Sequence, residues 1–192
     1  MIKPHGSDEL NPLFIYDSNA NEALHKEAEG LASVLVSSAT AANAVMLGAG
    51  YFNPLTGYMN KADALSVATD MKTTSGLFWP TPVLNLLQDA GSIKAGDRIA
   101  LKDPNVDGNP ILAVMDVESV EEFTDEEIAL ISKNVYRPSA EEAHPGVDAF
   151  VAQGKVCLSG PIQVLNFSYF QSEFPDTFRT AVEIRNEISE RG

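Results

Sequence analysis

Cysteine is almost absent from this 192-residue chain, since Cys157 is the only one. A single cysteine cannot form an internal disulfide, and its apolar neighbours Val156 and Leu158 favour a small buried side chain over a reactive thiol. The sequence also lacks an apolar run approaching the roughly 20 residues that a membrane-spanning helix needs. Its first ten residues carry several charges and no secretory signal pattern. We therefore expect a soluble, cytoplasmic protein.

Basic residues are also scarce. The 13 Lys and Arg residues are outnumbered by 27 Asp and Glu residues, which gives a formal net charge of −14. Such a charge repels phosphate backbones and argues against general nucleic-acid binding. The acidic pairs at residues 121–122, 126–127 and 141–142 are expected to be solvated surface groups.

Motifs for phosphate, metal or acyl-transfer chemistry are missing as well. Neither G-x-x-x-x-G-K-[ST] nor G-x-G-x-x-G occurs, and residues 48–50 (Gly-Ala-Gly) have the wrong spacing. No G-x-S-x-G is present either. The histidines His5, His25 and His144 lie in separate segments without a second ligand at metal-binding spacing. We expect no catalytic residue, no metal site and no cofactor in this chain, with His25 on the surface and His144 in a turn.

The first half of the sequence favours short helices. Thr40 is a candidate N-cap, and the β-branched run at residues 34–36 predicts a buried strand between the first two helices. Residues 51–60 mix aromatics with Pro and Gly, which predicts a structured loop. Three stretches place apolar side chains on one face and predict helices: residues 21–29, 40–47 and 61–71.

The second half favours strands. Residues 103–110 are turn-forming throughout, and the apolar runs on either side, 98–101 and 111–117, predict an antiparallel hairpin. A second strand pair is predicted at 147–151 and 156–166. Thr124 and Glu127 have the spacing of a capping box before a helix.

The last predicted helix is amphipathic and runs to residue 192. Asp176 or Thr177 is expected to cap it, and its apolar face would contain Phe178, Ala181, Val182 and Ile188. This face needs either the β region or a partner to cover it. The pattern as a whole predicts an α+β chain, with small helices first and a β region after about residue 77.

Six segments, in order, resemble the ATP sulfurylase (sulfate adenylyltransferase) family. The most specific is GYFNPLTGYM at residues 50–59, which is similar to that family's Gly-aromatic-x-Pro-Leu-Thr-Gly-aromatic segment. The loop at 103–110 is similar to enzymes of sulfur-oxidising and sulfate-reducing bacteria. The other segments are PHG (4–6), LFWPTPVLNL (77–86), RIALKDPNVDGNPILAVMDV (98–117), NVYRPSAEEAHPGV (134–147) and FPDTFRTAVEIRNEISERG (174–192).

The resemblance implies a PUA-like β-barrel domain at residues 1–168, with 169–192 as the linker and first helix of a Rossmann-like nucleotidyltransferase domain. The family joins ATP and sulfate to give adenosine 5′-phosphosulfate and pyrophosphate, or runs this reaction of sulfur metabolism in reverse. Its catalytic Gln-x-Arg-Asn-Pro-x-His-x-x-His and Gly-Arg-Asp segments are not in this sequence. We therefore expect a scaffold that is inactive alone and meets ATP and sulfate only through the catalytic domain.

The expected partners are that catalytic domain and, as an alternative, a second subunit. The 50–59 segment would pack on one of them, or else Phe52, Pro54 and Leu55 would plug the barrel while Gly57 permits a turn. A rival interpretation is a free-standing PUA-like interaction or RNA-binding module, although RNA binding would need a basic, aromatic-lined face. The candidate interface residues are Tyr51, Phe52, Pro54, Leu55, Thr56, Gly57, Tyr58, His5, Phe178, Val182 and Ile188.

Overall fold

A computed structural model describes residues 2–137 and 144–192. The chain divides into two compact units. The first consists of Met1–Gly57, Arg98–Asp116 and Pro161–Gly192, and the second of Tyr58–Asp97 and Val117–Gly160. The acidic pair 141–142 and part of the 134–147 segment fall outside the described residues. Within the described ranges, no helix has the length and apolar character needed to cross a membrane.

Helices and strands alternate along much of the chain. The described helices are α1 (Ser18–Ala28), α2 (Ser38–Gly48), α3 (Lys61–Asp70), α4 (Asp125–Tyr136), α5 (Pro145–Val151), α6 (Phe170–Glu173) and α7 (Ala181–Arg191). The described strands are β1 (Ala32–Leu35), β2 (Gly57–Tyr58), β3 (Leu86–Leu87), β4 (Arg98–Lys102), β5 (Ile111–Asp116), β6 (Ser119–Glu122) and β7 (Val156–Val164).

The first unit is built on a mixed sheet. β4 and β5 pair antiparallel, with Ile99 opposite Met115, which confirms the predicted hairpin. β5 also pairs antiparallel with the end of β7, where Met115 lies opposite Ile162. β1 adds to β4 in the parallel direction. Each strand of the hairpin therefore has a partner on both sides.

The strand predicted at residues 34–36 is shifted and is not buried. β1 lies at the end of the strand order and pairs with β4 alone. Leu35 is 55% exposed, and only Val36, just after the strand, is buried. A β-branched run indicates a strand but does not distinguish an edge position from a central one.

Helix α1 covers one face of this sheet. Leu24 and Ala28, the two residues predicted for its apolar face, are buried in a cluster with Ala100, Val114 and Leu165. Helix α2 lies close to β7, because a Cβ atom added at Gly48 would come within 2.8 Å of the Val164 side chain. The core of this unit therefore depends on small residues where helix and strand approach each other.

The second unit places two short strands against the beginning of β7. Leu86 of β3 pairs with Cys157, and Ser119 of β6 pairs with Ser159, both antiparallel. The capping box is confirmed, since the Thr124 hydroxyl accepts from the Glu127 amide at 3.2 Å and the Glu127 carboxylate accepts from the Thr124 amide at 2.8 Å.

Two of the acidic residues predicted as solvated have structural partners. Glu127 forms an ion pair with Lys61 at 2.7 Å. Glu121 is half-buried and accepts hydrogen bonds from the Lys61 amide and the Ser119 hydroxyl. Glu126 is exposed, as predicted.

Three local predictions were wrong. Residues 147–151 form helix α5 instead of a strand, because His144 accepts from the Gly146 amide at 3.0 Å and Pro145 occupies the first helical turn. Ser37, not Thr40, caps α2, and Thr40 is buried within that helix. Thr180 caps the last helix, which begins later than predicted.

We predict that Gly154→Ala will destabilise the chain far more than Gly91→Ala. Both glycines have positive φ, at 107° and 60°. A Cβ atom at Gly154 would lie 2.2 Å from the Leu87 carbonyl oxygen, whereas one at Gly91 would meet nothing within 4 Å. In urea unfolding, the free energy of unfolding should fall by roughly 3 kcal/mol or more for Gly154→Ala and by roughly 1 kcal/mol for Gly91→Ala. Equal losses would contradict the close approach.

Candidate interaction surface

The 50–59 segment is held by a buried amide. Asn53 is 5% exposed, and its Nδ2 donates to the His5 carbonyl at 3.0 Å and to the Ser7 hydroxyl at 2.7 Å. Its Oδ1 accepts from the Asn11 amide at 2.8 Å. Because the Asn53 side chain uses both its donors and its acceptor, it ties His5, Ser7 and Asn11 to this segment.

The same segment is also attached to the start of α7. The Tyr51 hydroxyl donates to the Arg179 carbonyl at 2.6 Å, and the Ala181 amide donates to the Ala49 carbonyl at 2.8 Å. Gly50 adopts φ 82° between them, and a Cβ atom there would lie about 3.5 Å from Pro12 and Ala181. Residues near both ends of the chain therefore contact one loop.

The predicted interface residues of this loop fall into two groups. Gly57 and Tyr58 are buried, and burial raises the pKa of the Tyr58 hydroxyl above its ordinary value. Tyr51 and Thr56 are exposed, whereas Phe52, Pro54 and Leu55 are half-buried. Gly57 lies in strand β2, so the turn expected there is wrong, and the glycine with positive φ is Gly50.

The sequence analysis missed an aromatic cluster. Its rings follow one another at centroid distances of 4.4 Å (Phe14 to Phe167), 5.3 Å (Phe167 to Phe178) and 5.7 Å (Phe178 to Phe170). Spacing this close allows stacked and edge-to-face contacts. We use the name aromatic cluster for Phe14, Tyr16, Phe167, Tyr169, Phe170, Phe174 and Phe178.

The aromatic cluster reaches the surface at both ends. Tyr16 is 53% exposed and Phe174 is 48% exposed. Phe178, predicted on the face of the last helix, instead precedes α7 and packs within the cluster. The crowding of aromatics at residues 167–178 could have signalled the cluster in the sequence, although the contribution of Phe14 could not be foreseen.

Helix α7 presents apolar side chains that the described residues do not cover. Ala181 is buried and Val182 is half-buried, but Ile184 is 36% exposed and Ile188 is 58% exposed. The helix is held at its first turns: Arg185 donates to the Ile2 carbonyl at 2.7 Å. An apolar face on an anchored helix is suited to a protein contact.

A second capping box begins α7. The Thr180 hydroxyl accepts from the Glu183 amide at 3.3 Å, and a Glu183 carboxylate oxygen accepts from the Thr180 amide at 2.7 Å and from its hydroxyl at 2.8 Å. These hydrogen bonds from Thr180, first through its amide, lower the pKa of Glu183. The Glu183 side chain therefore stabilises the helix more strongly when it is ionised.

No reactive thiol and no cluster of three His, Cys, Asp or Glu side chains suited to a metal ion is found within the described ranges. Burial, with a smaller effect of Glu121, raises the pKa of the Cys157 thiol to about 12, so it is not a nucleophile at neutral pH. No group of three or more His, Cys, Asp or Glu side chains there could hold a metal ion. His25, predicted on the surface, is half-buried in α1 and lies 3.8 Å from Glu29. His5 is exposed.

The fold belongs to a known class. The chain is a member of the PUA-like domain family, whose model matches residues 2–167. Among solved structures, it resembles the hexameric APS kinase from Thiobacillus denitrificans, with a TM-score of 0.72 and 23% identity over all of this chain and 32% of that one. At this identity the likeness shows a shared fold, and the predicted PUA-like α+β class is confirmed.

Curated relatives define the match more closely. Sulfate adenylyltransferases from Allochromatium vinosum, Alcanivorax borkumensis and the sulfur-oxidizing endosymbiont of Riftia pachyptila are 62%, 58% and 55% identical over all 192 residues. The match covers 48%, 48% and 43% of these proteins and falls on their N-terminal part. The chain thus spans about half the length of these relatives. The predicted resemblance to the N-terminal domain of ATP sulfurylase is confirmed.

We predict that Tyr51→Phe will loosen the start of α7 without unfolding the chain. The substitution removes the hydrogen bond to the Arg179 carbonyl, a loss of roughly 1 kcal/mol. Hydrogen exchange of the Ala181 amide should become several-fold faster, while amides of the β4–β5 hairpin stay unchanged. Tyr16→Phe, at another exposed tyrosine, is the control. If both variants exchange like the parent, Tyr51 does not anchor α7.

We also predict that acid will fray α7. The pKa of Glu183 is lower in the folded chain than in the unfolded one, so its contribution is complete above the unfolded value and is lost as the pH falls through the folded value. Helical NMR signals of residues 181–185 should weaken below about pH 4. Glu183→Gln keeps an oxygen that can accept from the Thr180 amide but has no charge to lose, so its helical signals should change little on acidification. A parent-like pH response in this variant would contradict the prediction.

Proposed function

We propose that this chain is the scaffold portion of a sulfate adenylyltransferase and carries no adenylyl-transfer activity by itself. The observation that carries the proposal is the attachment of the 50–59 segment both to the first residues and to the start of α7. This attachment fixes the start of α7, which follows Phe178 of the aromatic cluster. Such a surface is suited to positioning another part of the enzyme.

The charge distribution supports an inactive scaffold. Adenylyl transfer needs cations and hydrogen-bond donors placed around phosphate groups. In the first unit, Arg98 is instead occupied by Glu27, Asp116 and Gln163, with contacts of 2.6 to 2.8 Å. Arg185 is occupied by the Ile2 carbonyl. These arginines have structural roles that would compete with a phosphate ligand.

The catalytic part of the same enzyme is the partner that we propose for α7. The high identity to proteins about twice as long supports a partner encoded in the same kind of enzyme. The end of the family match at residue 167 supports a boundary near residue 168, with α7 leading into a Rossmann-like domain. Ile184, Ile188 and Phe174 would provide the apolar contact, and ATP and sulfate would bind beyond it. A second subunit is the alternative partner for this face.

RNA binding is the weaker alternative. An aromatic cluster can stack on unpaired bases, but such sites combine rings with positive charge. The charged residues of the 169–183 stretch are Glu173, Asp176, Arg179 and Glu183, and one Arg179 nitrogen donates to the Pro175 and Phe178 carbonyls. This acidic surrounding favours a protein partner over a phosphate backbone.

The proposal is tested by comparing the isolated chain with a fusion of this chain to the C-terminal part of a relative. The isolated 192-residue chain should form no ATP from adenosine 5′-phosphosulfate and pyrophosphate. The chain fused to the C-terminal part of the Allochromatium vinosum relative should form ATP at a rate comparable with that of the intact relative. Ile184→Ser/Ile188→Ser in the fusion should lower this rate at least roughly tenfold through lost docking.

A matched variant separates docking from folding. Asn186→Ser alters an exposed polar position of the same helix and should leave the activity of the fusion unchanged. In the isolated chain, the double serine variant should keep the parental melting temperature, because both isoleucines are exposed there. ATP formation by the isolated chain would refute the scaffold role, and a fully active double variant would refute docking through α7.

A further inference from the structure

The hairpin loop between β4 and β5 contains a pattern that the proposed function does not use. Residues 103–108 read Asp-Pro-Asn-Val-Asp-Gly, which matches D-x-[DN]-x-[DN]-G. This is the first half of a calcium-binding loop, in which positions 1, 3 and 5 offer side-chain oxygens and the glycine at position 6 allows a sharp turn. The following residue, Asn109, would offer its backbone carbonyl.

A buried carboxylate at the base of this loop has an oxygen without a partner. Asp103 is 0% exposed, and its Oδ1 accepts from the Asn105 amide of the loop at 2.8 Å. Among the described residues, Oδ2 has no hydrogen-bond partner. A buried charged oxygen in this state is costly unless a proton or a cation satisfies it.

The remainder of the loop has the required turn. Gly108 and Asn109 both have positive φ, at 81° and 47°. The Asn109 amide donates to the Val106 carbonyl, and its side chain donates to the Asp103 carbonyl at 2.9 Å. The carboxylate of Asp107 lies on the exposed side of the turn. Hydrogen bonds from Asn109 to Val106 and Asp103 therefore close the turn at residues 103–109.

We propose that this loop binds one calcium ion. Its ligands would be side-chain oxygens of Asp103, Asn105 and Asp107 and the carbonyl of Asn109, with water completing the shell. Calcium is favoured over magnesium because it accepts amide and backbone carbonyl oxygens in a flexible geometry, whereas magnesium requires a near-ideal octahedron.

The site should be weak. It has two carboxylates, and the position where calcium loops usually carry a bidentate glutamate is occupied by the buried Val114. Asn105 must also turn, because its Oδ1 accepts from the Ser38 hydroxyl at 2.6 Å. We expect a Kd of roughly 10⁻⁴ to 10⁻³ M.

The proposal is tested by calorimetric titration of the EDTA-treated 192-residue chain with CaCl₂. The buffer contains about 0.15 M NaCl to screen the net charge of the chain. One calcium ion per chain should bind, and the NMR signal of the Gly108 amide should shift over the same range of calcium concentration. MgCl₂ should compete poorly with calcium. Asp107→Asn should weaken binding roughly tenfold by removing an exposed ligand charge.

Two further variants test whether calcium binds at this loop and not to the acidic surface in general. Asp70→Asn removes the same charge at an exposed position in α3 and should bind calcium like the parent. Ser38→Ala removes the bond that holds Asn105 and should bind roughly threefold more tightly. Absence of binding by the parent at 10 mM CaCl₂, or equal weakening in Asp107→Asn and Asp70→Asn, would overturn the proposal.

Discussion

The buried amide of Asn53 is the interaction on which the rest of the candidate surface depends. It satisfies two donors and one acceptor at once, and its partners are backbone and hydroxyl groups of the first eleven residues. An aspartate there would lose both donors, and an alanine would leave the Asn11 amide unpaired. Because the neighbouring residues Tyr51 and Ala49 bind the approach to α7, a loosened Asn53 would affect both attachments.

Local chemistry in the sequence was sufficient for some elements. The β4–β5 hairpin followed from a turn-forming loop between two apolar runs, and the Thr124 capping box followed from its spacing. The cap of α7 could have been identified in the same way. Of Asp176, Thr177 and Thr180, only Thr180 has a glutamate three residues later, and the structure uses this pair.

Other elements depend on competition between local signals. Val147, Phe150 and Val151 favour a strand, but the His144 cap and Pro145 at the first turn start helix α5 instead. The 34–36 run predicts an extended segment, but it does not show which of its side chains another element covers, and only Val36 is buried. The burial of a strand is decided by tertiary contacts, which the strand propensity of its residues does not predict.

The long-range contacts of the candidate surface could not be predicted from the sequence. Tyr51 and Arg179 are 128 positions apart, and no pattern within either segment pairs them. The same applies to Phe14 and Phe167, whose stacking depends on an isolated bridge between Phe14 and Val164. Family resemblance could point to the 50–59 segment because it is distinctive, whereas the aromatic cluster is assembled from residues without a distinctive motif.

The proposed scaffold role would contribute to catalysis through position. Misplacing reacting groups by about 1 Å can cost an enzyme roughly a hundredfold in rate. Helix α7 is held by Tyr51 through Arg179, by Ala49 through Ala181, and by Ile2 through Arg185. These three attachments act on the first turns of the helix and leave Ile188 exposed. A catalytic part that packs on this free end would inherit an orientation set by the hydrogen bonds to Tyr51, Ala49 and Ile2.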